Sequence, residues 1–195
     1  MKKITRKLRN NSGFTLIELL VTILILVILV IAIGDGMDAA SRIYKQSVFY
    51  SNSSTLASML NTSFEDLFRF SEQIYTRVDG DYITADGHMI SGSSVPGTPA
   101  LLFTNEEYGA RNAYVFLSDE EEGESVSPIR IRNVFGGQVR DLLTTGSYPN
   151  LKIENLEITY DGPVYTVKYD IVSKTDASLR KSVEMNVRLL NQYRQ

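Results

Sequence analysis

From Phe14 to Ile33 the chain runs for twenty residues with a single charge, the carboxylate of Glu18. At about 1.5 Å of rise per residue, a helix of that length spans roughly 30 Å, the hydrocarbon core of a bilayer. A carboxylate inside such a span is expensive, so it marks function and calls for a partner. Glu18 lies five residues past Gly13, and cutting the chain after that glycine would create an amine within its reach.

The residues upstream agree with a membrane reading. Lys2, Lys3, Arg6, Lys7 and Arg9 precede the apolar run, and residues 1–13 contain no acid. Positive charge on that flank keeps the N-terminus in the cytoplasm and places the rest of the chain outside. An ordinary secretory signal has a shorter apolar region and no internal carboxylate. Ala32-Ile33-Gly34 nevertheless supplies a small-x-small cleavage site, which leaves conventional secretion as an alternative.

A basic leader ending in Gly13, followed by Phe14, Thr15, Leu16, Ile17, Glu18 and a long apolar helix, resembles the class III signal of type IV pilins and pseudopilins. The resemblance covers about the first 35 residues. It implies that a prepilin peptidase cuts between Gly13 and Phe14 and methylates the new Phe14 amine. It also implies that Glu18 pairs with the Phe14 amine of a neighbouring subunit during assembly. Such a pairing is physically reasonable, because a buried charge left without its partner is strongly destabilising. The competing reading of the residues is a signal-anchor helix with an accidental glutamate near its cytoplasmic edge. Other pilin or pseudopilin subunits, assembly-platform proteins and membrane lipid are the further partners implied.

The leader holds 5 of the 20 basic residues and none of the 23 acidic ones, so residues 14–195 carry a net charge of −8. An acidic ectodomain argues against nucleic acid, which needs clustered Lys and Arg. Cysteine is absent, so thiolate zinc sites are excluded, as is the C-terminal disulfide loop found in many pilins.

Gly34-Asp35-Gly36 closes the apolar run. These glycines serve either as the exit from the membrane or as a point where the helix can stretch. Met37, Ala40, Tyr44 and Val48 recur at helical spacing, as do Leu56, Leu60, Phe64 and Leu67. Polar Ser51–Thr55 suggests a bend, and Ser63-Phe64-Glu65-Asp66 suggests the cap of a second helix ending near Val78. From about residue 80 the texture becomes β. Strand-like runs occur at Leu101–Thr104, Tyr114–Leu117, Ile129–Phe135, Lys152–Tyr160, Tyr165–Ile171 and Val183–Leu189. The last three alternate apolar and polar residues, as an antiparallel meander covered on one face requires.

The expected fold is therefore α+β and pilin-like, a long N-terminal helix packed on an antiparallel β-sheet head. Residues 1–13 form the leader, 14–34 the transmembrane and assembly helix, 35–78 an amphipathic helical region, and 79–195 the extracytoplasmic head. His88, the one histidine, stands alone in a Gly/Ser-rich stretch and is read as a loop residue. The acid run Asp119–Glu124 lacks the alternating spacing of a calcium loop and is read as a solvated hairpin tip. No nucleophile and base, metal set or cofactor motif emerges, so neither an enzyme nor a cofactor is expected.

The function expected is that of a structural subunit of a type IV pilus, secretion or competence filament. Length, lack of cysteine and an irregular middle favour a minor pilin or pseudopilin. The subunit is stored as a single-pass protein of the bacterial cytoplasmic membrane and then moves to an extracellular or periplasmic filament. The alternative is a membrane-anchored extracellular binding or adhesion protein that never polymerises.

Overall fold

The computed structural model describes residues 15–118, 129–162 and 164–190. It comprises two compact units that divide between Gln46 and Ser47. One helix, α1 (Leu16–Arg69), contributes to both.

Within the second unit, α1 turns one stripe inward. Phe49, Leu56, Leu60, Phe64, Leu67 and Phe68 are buried, at the three- and four-residue spacing of a single helix face. The expected bend at Ser51–Thr55 does not occur. Ser53 donates its hydroxyl to the Tyr50 carbonyl at 3.2 Å and Thr55 to that of Ser51 at 3.1 Å. These side chains bond back to their own helix instead of offering the backbone another conformation. α1 also runs unbroken through Gly34 and Gly36.

The helix stops where its last four carbonyls find other partners. Asn105 Nδ2 donates to Asp66 O (3.4 Å) and Leu67 O (2.8 Å). The Ser71 amide donates to Phe68 O at 3.1 Å, and the Leu190 amide to Arg69 O at 3.0 Å. Arg69 pairs with Glu65 one turn back, a cation suited to the helix C-terminus.

The expected second helix to Val78 is not there. β1 (Gln73–Val78) occupies that stretch, running antiparallel to β4 (Leu101–Asn105), with Tyr75 opposite Leu102. β1 and β2 (Asp81–Ile83) are joined by Asp79-Gly80, both at positive φ (51° and 98°), a two-residue turn whose twist suits a hairpin. β3 (Met89–Ile90), β5 (Ala110–Leu117), β6 (Ile129–Asn133) and β7 (Val139–Asp141) complete a seven-stranded antiparallel sheet, in the order β3-β2-β1-β4-β5-β6-β7. β8 (Leu151–Asp161), β9 (Val164–Ser173) and β10 (Arg180–Arg188) form the expected antiparallel meander as a separate three-stranded sheet.

Both sheets and the buried stripe of α1 share one core. Phe68 stacks on Tyr165 of β9 with ring centroids 4.4 Å apart, and meets Phe103 of β4 edge-on at 5.2 Å. A second, smaller core lies elsewhere on the seven-stranded sheet and contains Tyr75, Tyr82, Val95, Leu102 and Tyr114. The segment 91–100 is tied over it. The Tyr82 hydroxyl donates to Pro99 O at 2.8 Å and the Tyr114 hydroxyl to Pro96 O at 2.6 Å. A Cβ at Gly92 would run into the carbonyl of Gly80, so only glycine lets this strap lie so close. With both sides covered, every residue of β4 is buried, which explains its non-alternating Leu-Leu-Phe sequence.

Truncating the residue at the junction of helix and sheets should be costly. Phe68→Ala is expected to lower head stability by about 3–5 kcal/mol. Phe70→Ala, at a side chain 41% exposed, is expected to change it by less than about 0.5 kcal/mol. Urea denaturation of the detergent-solubilised chain, followed by tyrosine fluorescence, compares the two.

Candidate functional site

The start of α1 folds back on itself. The Thr15 amide and the Thr15 hydroxyl each donate to Glu18 Oε2 at 2.9 Å, while the Glu18 amide donates to Thr15 Oγ1 at 3.4 Å. This is the reciprocal capping box that Thr-x-x-Glu encodes, in which side chain and backbone satisfy each other's orphan groups. The Thr22 hydroxyl donates to the Glu18 carbonyl at 2.6 Å, so the polar groups of this stretch are bonded within the helix. A carboxylate with two donors is far less unfavourable in an apolar medium than a bare one. The cap would also survive cleavage after Gly13, because the Thr15 nitrogen remains a peptide amide.

Beyond the cap, the large side chains from Leu16 to Ile33 are between 47% and 79% exposed on every side of the helix. A helix apolar all round is suited to lipid, where its backbone is satisfied internally. By length and composition this is the one candidate membrane span among the described residues. Residues 8–34 match the family model of the prokaryotic N-terminal methylation motif. The chain carries a type IV pilin signal. No curated protein and no solved structure matches the chain. The motif supports a type IV pilin-like precursor anchored in a membrane through this helix, and the family it marks is structural. The long helix against antiparallel sheet agrees with a pilin-like α+β fold.

Of the expected site residues, Glu18 is placed in the cap, whereas Gly13 and Phe14 lie outside the described residues, as does the acid run Asp119–Glu124. Thr15 is the capping residue that the sequence reading missed, although its spacing from Glu18 is legible as a capping box. His88 sits 3.5 Å from Asp86 in an exposed turn. Among the described residues no group of three or more His, Cys, Asp or Glu could hold a metal.

The pilin-like head carries its polar organisation on the three-stranded sheet. Cross-strand register sets Ser182, Asp170 and Glu154 in one row over β10, β9 and β8. The two neighbouring carboxylates would repel, but Arg180 forks between them, 2.8 Å from Asp170 and 2.7 Å from Glu154. Ser182 (2.5 Å) and Asn155 (2.8 Å) complete the shell of Asp170. Asn155 reaches it from a bulge in β8, at φ 54°. Hydrogen bonds from Ser182 and Asn155, with the Arg180 charge, hold the Asp170 carboxyl below its ordinary value. Lys152, followed by Arg180, does the same for Glu154. Burial pushes the Tyr148 phenol up to about 12 and raises those of Tyr165 and Tyr169, so these are neutral core groups at pH 7. An open cleft of about 360 Å³ lies between β4–β5 and β8, floored by Leu101, Phe103, Val115 and Ile158, with Glu157 its one ionisable lining residue.

Because both carboxyls titrate lower when folded, their contribution is complete above the unfolded values of 3.8 and 4.5 and is lost as pH falls through the folded ones. Head stability should therefore decline on acidification below about pH 4, and Asp170→Asn should flatten that limb of the curve. Arg180→Ala should cost about 1 kcal/mol at pH 7, a modest effect for a partly exposed pair. Urea midpoints measured between pH 2.5 and 7 check both.

Proposed function

We propose that this chain is a structural subunit of a type IV pilin-like filament, of the minor pilin or pseudopilin kind. The observation that carries the reading is the methylation motif over residues 8–34, with Glu18 held at the head of an otherwise apolar span. In this reading prepilin peptidase cuts between Gly13 and Phe14 and methylates the Phe14 amine. The basic leader stays in the cytoplasm, and the apolar helix stores the subunit in the cytoplasmic membrane. Assembly platform proteins then help move it into an extracellular or periplasmic filament.

The Thr15–Glu18 cap gives this cycle a physical basis. In the stored subunit the carboxylate is held by its own helix at 2.9 Å. In the filament it meets the Phe14 ammonium of a neighbour, a stronger charge-assisted bond in a medium of low dielectric. Assembly then exchanges a local cap for an ion pair between subunits, so the carboxylate has a partner in both states. The head, with an apolar core and no disulfide, faces outward. Its role in the filament follows from the surface it presents there.

Mass spectrometry of the purified subunit should find an N-terminus at methylated Phe14. An intact Met1, or a terminus at Asp35, would contradict the assignment. Gly13→Leu should block the cut and leave the 13-residue leader attached. Glu18→Ala should leave insertion and cleavage intact while depleting the subunit from sheared filament fractions at least about tenfold. Undiminished incorporation would remove the registration role and favour a non-polymerising anchored protein.

A further inference from the structure

β8 is an edge strand. It pairs with β9 on one side, and among the described residues no strand pairs with the other. Leu156, Glu157, Ile158 and Thr159 all line the open cleft of about 360 Å³. Successive side chains of a strand point to opposite faces, so a cleft lined by four in a row meets the strand's edge as well as its inner face. The cleft is also a gap in the core. Leu151 and Ile153, earlier on β8, are buried, whereas Leu156 and Ile158 are only partly covered, as are Val115 and Leu117 of β5. Large apolar side chains that face inward and stay half wet gain when a partner removes them from water.

Plain alternation would not orient these residues this way. Continued from Leu151 and Ile153, it would turn Asn155 and Glu157 inward and Leu156 outward. The bulge at Asn155 adds one residue and reverses the pattern, so Leu156 and Ile158 face the core while Glu157 and Thr159 are exposed. Asn155, at φ 54°, is held by its 2.8 Å bond to Asp170, which Arg180 and Ser182 hold in turn. The carboxylate network on the outer face therefore sets which side chains border the cleft. From 155 to 161 the strand carries two acids, Glu157 and Asp161, and no base. Lys168, opposite Glu157 on β9, reaches Glu184 instead, at 3.5 Å.

An occupant of this edge has three conditions to meet together. An open strand edge presents peptide N–H and C=O groups, which an extended chain matches. Period-two alternation gives such a chain one apolar face for the cleft and one polar face for water. A base on the polar face, beside Glu157, complements the charge there. We propose that β8 at Leu156–Thr159 takes up an extended peptide of a partner protein, alternating apolar residues with Lys or Arg, as a further strand of the three-stranded sheet. The head then carries a recognition site of its own, apart from the apolar span and Glu18. This goes beyond the filament reading and does not depend on it.

Fluorescence anisotropy tests this with the detergent-solubilised full-length chain and a labelled, end-blocked peptide alternating lysine and valine. Saturable binding is expected. Glu157→Lys should weaken it at least about fivefold, since attraction becomes repulsion, and should confer binding of the matching glutamate–valine peptide. Glu184→Lys makes the same change of net charge at an exposed acid on β10, away from the edge. At physiological salt it should alter binding by less than about twofold. The lysine–valine peptide with every amide N-methylated keeps its side chains but cannot pair, and should bind at least about tenfold more weakly. No binding, equal losses in the two lysine variants, or undiminished binding of the methylated peptide would each overturn the proposal. Because the chain lacks cysteine, Thr159→Cys reports on a rival occupant. Disulfide-linked dimers that the peptide fails to suppress would assign the edge to a second copy of the chain and overturn the proposal as well.

Discussion

The contact on which the head depends is the meeting of Phe68 with Tyr165 and Phe103, all fully buried. It joins the last turns of α1 to a central strand of each sheet, so neither sheet has a complete core without the helix. The same few residues end the helix, through Asn105 on β4 and the Leu190 amide after β10. Packing and hydrogen bonding thus converge on one point. The order of the two sheets follows from there, with β4 buried on both sides and β9 central in the meander.

The first stretch of α1 obeys a different solvent. Along Leu16–Ile33 nothing among the described residues covers the apolar side chains, and the backbone is satisfied within the helix. In that setting a carboxylate is costly, and the cost depends on what stands beside it. The Thr15 cap supplies a partner within the chain, and in the proposed filament a neighbour's amine would take its place. Beyond Gly34 the apolar run gives way to exposed charged residues, Asp35, Asp38, Arg42 and Lys45.

Much of the fold was legible. β9 and β10 announce themselves by alternation, and β8 does so on either side of its bulge at Asn155, because each has one face on the core and one in water. Leu56, Leu60, Phe64 and Leu67 mark the buried stripe of α1 by the same logic at helical period. The stretch Gln73–Val78 was misread because Phe64, Phe68 and Tyr75 fall near helical spacing, and nothing local tells a helix from a strand there. Pairing with Leu101–Thr104 decides it. Asp79-Gly80 turns a hairpin there instead of following the end of a helix. The polar run Ser51–Thr55 misled for a related reason: its hydroxyls favour bends in isolation but bond back to the helix once Leu56 and Phe49 are buried.

Residues 2–33 by themselves marked this chain for a membrane, because hydrophobic length, flanking charge and an isolated carboxylate are all legible within one short segment. The Thr15–Glu18 cap belongs with them, since its partners are three residues apart. The tertiary structure alone decided where α1 ends, that the strands divide into two sheets, and that Arg180 reconciles Asp170 with Glu154. Those outcomes join residues tens of positions apart, and no local pattern encodes a contact whose free energy appears only when both partners are brought out of water together.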